Sequence, residues 1–187
     1  MVVKGMDMRF AAACVSLMVA AGLAACSPEP EEIDVSSLEV TAIDEPYSAE
    51  ADAHGELDAA YERAAERGTR VLVKFGGNWC PDCRIFAGML ELAPVRAYAD
   101  AHYEIVAVDV GRYERNMDVV ARFGLDELEG VPTVIITTAQ GEIINTGTSA
   151  EWRTARERNP QDVLDYLTRY AEAPVPENAQ RAVISRP

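Results

Sequence analysis

Apolar and polar residues recur along this chain with periods that predict its elements one after another. In DAHGELDAAYERAAERG, residues 52–68, Leu57, Tyr61, Ala64 and Ala65 recur three or four positions apart, the spacing of one helix face, and Gly68 stands where such a helix stops. Residues 71–75, VLVKF, are a short apolar run broken only by Lys74, which suits a buried strand. After Gly76 and Gly77 the spacing predicts a helix from Cys80, with Ile85, Phe86, Met89, Leu90 and Leu92 as its apolar residues and Pro94 ending or kinking it. Residues 103–110 read as a second strand, 116–123 as a helix and 133–137 as a third strand. Gln140 and Gly141 offer a tight turn into a hairpin partner at 142–145. Asn159 followed by Pro160 starts a last helix whose apolar face is Val163, Leu164, Leu167 and Tyr170.

This order predicts an α/β domain over residues 51–172, its first two strands parallel and its last pair antiparallel. The flanks differ. Residues 26–50, acidic and punctuated by proline, read as a flexible tether in which SLEVTAI could add an edge strand, and residues 173–187 read as a disordered tail. At the start, Lys4 and Arg9 precede a run over residues 10–23 that is apolar or small except for Ser16. A bilayer span needs about 20 apolar residues, so this run suits the apolar core of an export signal, expected over residues 1–25. Leu23, Ala24, Ala25 and Cys26 resemble a bacterial lipobox. That resemblance implies lipidation of Cys26 and, with Ser27 after it rather than aspartate, a periplasm-facing lipoprotein of the outer membrane of a Gram-negative cell.

Composition narrows the partners. A formal charge of -14 repels nucleic acid and anionic membrane surfaces, so attachment to a membrane is expected through the N-terminal lipid alone. Of four cysteines, Cys14 lies in the export signal and Cys26 is the expected lipidation site, which leaves Cys80 and Cys83 in the domain. Zinc needs about four ligands, and the only histidines, His54 and His102, stand at no ligand spacing from the pair. A purely structural disulfide would close so small a loop that it would add little stability. A redox role has a positive argument. Cys80 falls at a helix N-terminus after a strand and a glycine turn, where unpaired N–H groups and the helix dipole stabilise a thiolate. Cys80 is the expected nucleophile and Cys83, one turn on, the resolving thiol. Pro81 fits the first turn because its missing N–H would have had no partner there.

Trp79-Cys80-Pro81-Asp82-Cys83 together with Gly130-Val131-Pro132-Thr133 resembles the thioredoxin family, in its redox motif and its cis-proline loop, over residues 55–171. Gly141 and Gly147 fall where the family's closing hairpin has glycines. The resemblance implies a thioredoxin fold with a mixed sheet of four to five strands flanked by helices. It also implies a cis Pro132 facing the cysteines, Val131 offering its backbone to an extended substrate segment, and a docking role for Trp79 and Pro81, with core packing as the other reading of Trp79. No metal or organic cofactor is implied. The WCPDC form is similar to that of exported thioredoxin-like lipoproteins and of small thioredoxin-related reductases.

Two charged residues depart from the simplest site. Asp82 should oppose thiolate formation at the pair and favour a moderate to reducing potential. Lys74 stands where many thioredoxins carry a buried acid; it would either favour thiolate or be neutral if desolvated, or else extend its ammonium to solvent or to an acid such as Asp109. Asp126, Glu127 and Glu129 put further acid near the docking face. The reading is a membrane-anchored periplasmic thiol–disulfide oxidoreductase, a reductase of disulfides in exported proteins served by an unidentified electron donor. The alternative is a thiol-dependent binding module, chaperone-like or a Cu(I) metallochaperone, which soft thiolates would suit.

Overall fold

Asp52 begins the first helix: its carboxylate accepts the Gly55 N–H at 3.1 Å, and Gly68, left-handed at φ 69°, ends it. This α1 (Ala53–Arg67) buries Leu57, Ala60, Tyr61 and Ala64, whereas Ala65, expected on the same face, is exposed. The computed structural model describes residues 34–184. Then follow β1 (Arg70–Gly76), α2 (Pro81–Leu90), α3 (Ala93–His102), β2 (Tyr103–Asp109), α4 (Met117–Ala121), β3 (Thr133–Thr137), a 3-10 helix (Glu151–Glu157) and α5 (Pro160–Ala171).

The sheet has the order β2-β1-β3. β1 pairs with β2 in parallel from Arg70 opposite Tyr103 to Gly76 opposite Asp109, and with β3 antiparallel from Val71 opposite Thr137 to Phe75 opposite Thr133. As the middle strand β1 is covered on both faces, so every residue after Arg70 is buried and a continuous apolar run was needed. One face packs Val71, Val73 and Phe75 with α1; Leu72 lies in a second core with Phe86, Trp152 and Tyr166.

The described sheet has three strands, not four or five. Residues 142–145 contribute only two isolated antiparallel bridges, Thr137 to Ile143 and Glu142 to Arg181, and beyond them the Asn145 side chain stands in for a strand backbone. Its amide accepts the Ile136 N–H at 2.8 Å and donates to the Val134 carbonyl at 2.7 Å. Pro94 is less a terminator than a starter: α2 ends at Leu90 and Pro94 lies in the first turn of α3, a helix the periodicity did not separate.

The expected tether and tail are packed where they are described. Residues 34–50 form no helix or strand, and SLEVTAI adds none, yet Val35 and Tyr47 are buried. Ile43 donates to the Arg84 carbonyl at 3.1 Å, and Tyr47 and Asn78 exchange two hydrogen bonds of 3.0 and 2.9 Å. Gly88 allows this: a β-carbon there would collide with the Thr41 carbonyl, so the segment lies directly on α2. At the other end Ala182 donates to Gly141 and Val183 to Arg122, both at 2.8 Å. The expected signal segment 1–25, Cys26 with its lipid, and residues 185–187 lie outside the described residues. Among the described residues no helix is long and apolar enough to cross a membrane.

Candidate functional site

Strand β1 ends in Gly76 and the turn through Gly77 and Asn78, which delivers Cys80 to the N-cap of α2 with Pro81 behind it. A side chain at an N-cap points at the open N–H groups of the first turn. Cys80 Sγ accordingly accepts the Cys83 N–H at 3.1 Å. The Cys80 thiol also reaches across the sequence to the Val131 carbonyl at 3.5 Å, and the Val131-Pro132 peptide bond is cis. The motif and the proline loop, about fifty residues apart in sequence, are thus one site, and both thiols are free.

The two thiols are unequal. Cys80 is lowered to about 7, first because the Cys83 thiol hydrogen-bonds to it and then because of the first-turn N–H groups; burial and the Asp82 charge oppose this. Cys83 is pushed up, first by holding the shared proton against Cys80 and then by its own burial. The thiol with the lower pKa stands at the cap and the one that keeps the shared proton one turn inside.

Trp79 is not in the core. It is 39% exposed, its indole N–H donates to the Gly111 carbonyl at 2.6 Å, Arg112 lies 4.9 Å over its ring, and Tyr113 meets it edge-on at 6.1 Å. Pro81 is exposed beside it, and Val131 is nearly buried. Asp82 is buried but not unpaired: the Arg156 backbone N–H donates to it at 3.0 Å, Nε at 3.1 Å and Nη2 at 3.1 Å.

Lys74 corrects another expectation. Its side chain is buried rather than extended into bulk solvent, and it does not pair with Asp109, which pairs with Arg115. Instead it donates to the Pro46 carbonyl at 3.2 Å and lies 4.3 Å over the Tyr47 ring. Burial lowers its pKa to about 8, and the charge that most opposes this is Cys83.

Three contributors had no place in the sequence reading. Tyr47 sits in the supposed tether; Arg153 and Arg156 sit in the unforeseen 3-10 helix. Arg153 braces the proline loop from the other side, contacting Glu129 at 3.4 Å and the Thr133 hydroxyl at 3.2 Å. The spacing of the arginines in EWRTARE offered no signal, because the backbone kinks at Thr154 between them. Among the described residues no cluster of three or more His, Cys, Asp or Glu side chains is placed to hold a metal ion.

Comparison with known proteins agrees with this geometry. The thioredoxin-like family profile matches residues 52–139. A thioredoxin of Alicyclobacillus acidocaldarius subsp. acidocaldarius is 32% identical over 79 residues, which cover 42% of this chain and 68% of that one. The crystal structure of a disulphide isomerase from Xylella fastidiosa Temecula1 is similar at a TM-score of 0.65 and 29% identity, over 70% of this chain and 100% of that one.

Proposed function

The chain belongs to the thioredoxin-like family of thiol–disulfide oxidoreductases, and from that premise we propose that it is a lipid-anchored, periplasmic reductase of disulfides in exported proteins. The observation that carries the chemistry is Cys80 Sγ, capped by the Cys83 N–H and facing the Val131 carbonyl next to cis Pro132. Cys80 thiolate attacks one sulfur of a substrate disulfide; a Cys80–substrate disulfide forms and the other substrate sulfur leaves as thiolate. Cys83 then loses its proton and attacks Cys80, displacing the second substrate thiolate and leaving Cys80 and Cys83 as a disulfide. An external dithiol donor restores the pair, so the substrate gains two electrons and the donor loses them.

The Cys80 thiol bears on the direction of flux. A value of about 7 matches a thioredoxin, whereas a strong oxidant holds its nucleophile near 3.5. Arg156 pairs with Asp82 and offsets part of its field, so the moderate to reducing couple rests on a Cys80 thiolate that is only modestly stabilised rather than on that carboxylate alone. Export and anchoring are supported by the sequence before residue 27.

Reduction of insulin disulfides by the full chain with dithiothreitol as donor tests the reading. Turnover abolished by Cys80→Ser is expected; no thiol-dependent turnover would favour the binding module instead. Incorporation of labelled palmitate, lost in Cys26→Ala, tests the anchor separately.

A further inference from the structure

Behind Cys83, on the side away from the substrate face, three groups converge between β1 and α2. A β-carbon on Gly76 would stand 2.9 Å from Cys83 Sγ and collide with the Tyr47 hydroxyl, so sulfur and hydroxyl flank the same point. That hydroxyl is buried and meets full hydrogen-bond geometry with no described residue, the Cys83 sulfur being the polar group it faces. Lys74 lies over the Tyr47 ring and lines a cleft of about 550 Å³ together with Pro46, whose carbonyl accepts from its ammonium. The charged residues around the cleft pair with one another: Arg96 with Glu91 and Asp100, Arg67 with Glu104. Among the described residues Lys74 forms no ion pair.

We propose that Tyr47 and Lys74 are the acid–base pair of the resolving cysteine, the Tyr47 hydroxyl bonding the Cys83 sulfur as it becomes thiolate and the Lys74 amine taking its proton to the cleft. The inference rests on the redox reading above. In the mixed disulfide Cys83 loses its proton to neutral Lys74; the Cys83 electron pair forms the Cys80–Cys83 bond and the substrate sulfur leaves with the Cys80–substrate pair. The Lys74 ammonium then releases the proton to solvent through the cleft, away from the occupied docking face. The unpartnered hydroxyl is accounted for, because its acceptor is the thiolate of the next state. Burial places the Lys74 pKa at about 8, opposed by Cys83 and Glu91, so the amine is available as a base near neutrality; Asp100 and Glu104, and Arg67 and Arg96, are the other charged groups lining the cleft.

The test uses the reduced full chain and 5,5′-dithiobis(2-nitrobenzoate) in stopped flow. Attack by Cys80 releases one equivalent of the coloured thiolate, and resolution by Cys83 releases a second. Tyr47→Phe and Lys74→Met are each expected to slow the second phase at least fivefold more than the first, and the rise of the second phase through pH 8 is expected to vanish in Lys74→Met. Lys74→Arg, which keeps the charge but cannot give up a proton, is expected to be as slow as Lys74→Met. A smaller change in the ratio of phases for either variant, a persisting rise, or wild-type rates in Lys74→Arg overturns the proposal. A wild-type chain that releases no second equivalent overturns the redox reading instead.

Discussion

The Asp82 carboxylate and the Arg156 guanidinium are joined by two hydrogen bonds of 3.1 Å, and the Arg156 backbone N–H closes a third at 3.0 Å. The acid inside the redox motif is therefore met by a cation from the far end of the chain. Removing that cation leaves a buried carboxylate beside Cys80, whose charge disfavours the thiolate. Arg156→Ala is expected to raise the Cys80 pKa by about half a unit to one unit. Thiolate absorbance at 240 nm followed against pH measures this, and an unchanged midpoint would show that Asp82 is already screened by solvent.

The inequality of the thiols predicts a single reactive group near neutrality. Only the thiolate is nucleophilic, and Cys80 becomes thiolate as pH rises through about 7. Alkylation by iodoacetamide should therefore accelerate through pH 7 and level off above it, with label on Cys80 alone. Peptide mapping that found equal label on Cys83 would contradict the shared-proton arrangement, in which Cys83 stays protonated well above that range.

Lys74 is a cost to folding. Its pKa is about 8 in the fold against an ordinary value of 10.5, so between those values the unfolded chain binds more protons and stability rises with pH. Below pH 8 the full penalty applies. Lys74→Met is expected to be more stable at pH 7, by on the order of 3 kcal/mol before the lost Pro46 hydrogen bond is subtracted. The advantage should shrink as pH rises toward 10. Urea midpoints at pH 7 and pH 10 check this; a variant less stable at both would mean that the hydrogen bond and the ring contact outweigh burial of the charge.

The sequence made the strand, glycine turn and capped helix around Cys80 legible because each is a local signal: an apolar run, a residue that turns, a missing N–H. The partner loop was legible through Pro132, although only the fold brings Val131 to the thiol. What stayed hidden was long-range. Asn145 takes over strand hydrogen bonds with its side chain, which no periodicity reports. Arg156 meets Asp82 from a 3-10 helix too short and too charged to show a face. Whether Lys74 is desolvated or extends to solvent stays open in the sequence because the segment that covers it, through Pro46 and Tyr47, reads as tether. Low hydrophobicity averaged over residues 26–50 concealed two residues that are each almost completely buried, Val35 and Tyr47.

That segment yields the sharpest contrast between stability and chemistry. A chain begun at residue 51, the boundary read from composition, loses both Val35 and Tyr47 together with the hydrogen bonds to Arg84 and Asn78. Each buried apolar side chain is worth about 1.5–3 kcal/mol, so the truncated domain is expected to lose roughly 3 kcal/mol or more of stability. Tyr47→Phe keeps the ring, its place in the core and the contact with Lys74, and removes only a hydroxyl that bonds to no described residue. Its thermal midpoint should stay at or slightly above that of the parent chain. Denaturation of the two variants side by side separates a segment that merely covers the domain from one that also carries a functional group. An undiminished midpoint for the truncated chain would return residues 34–50 to the role of tether.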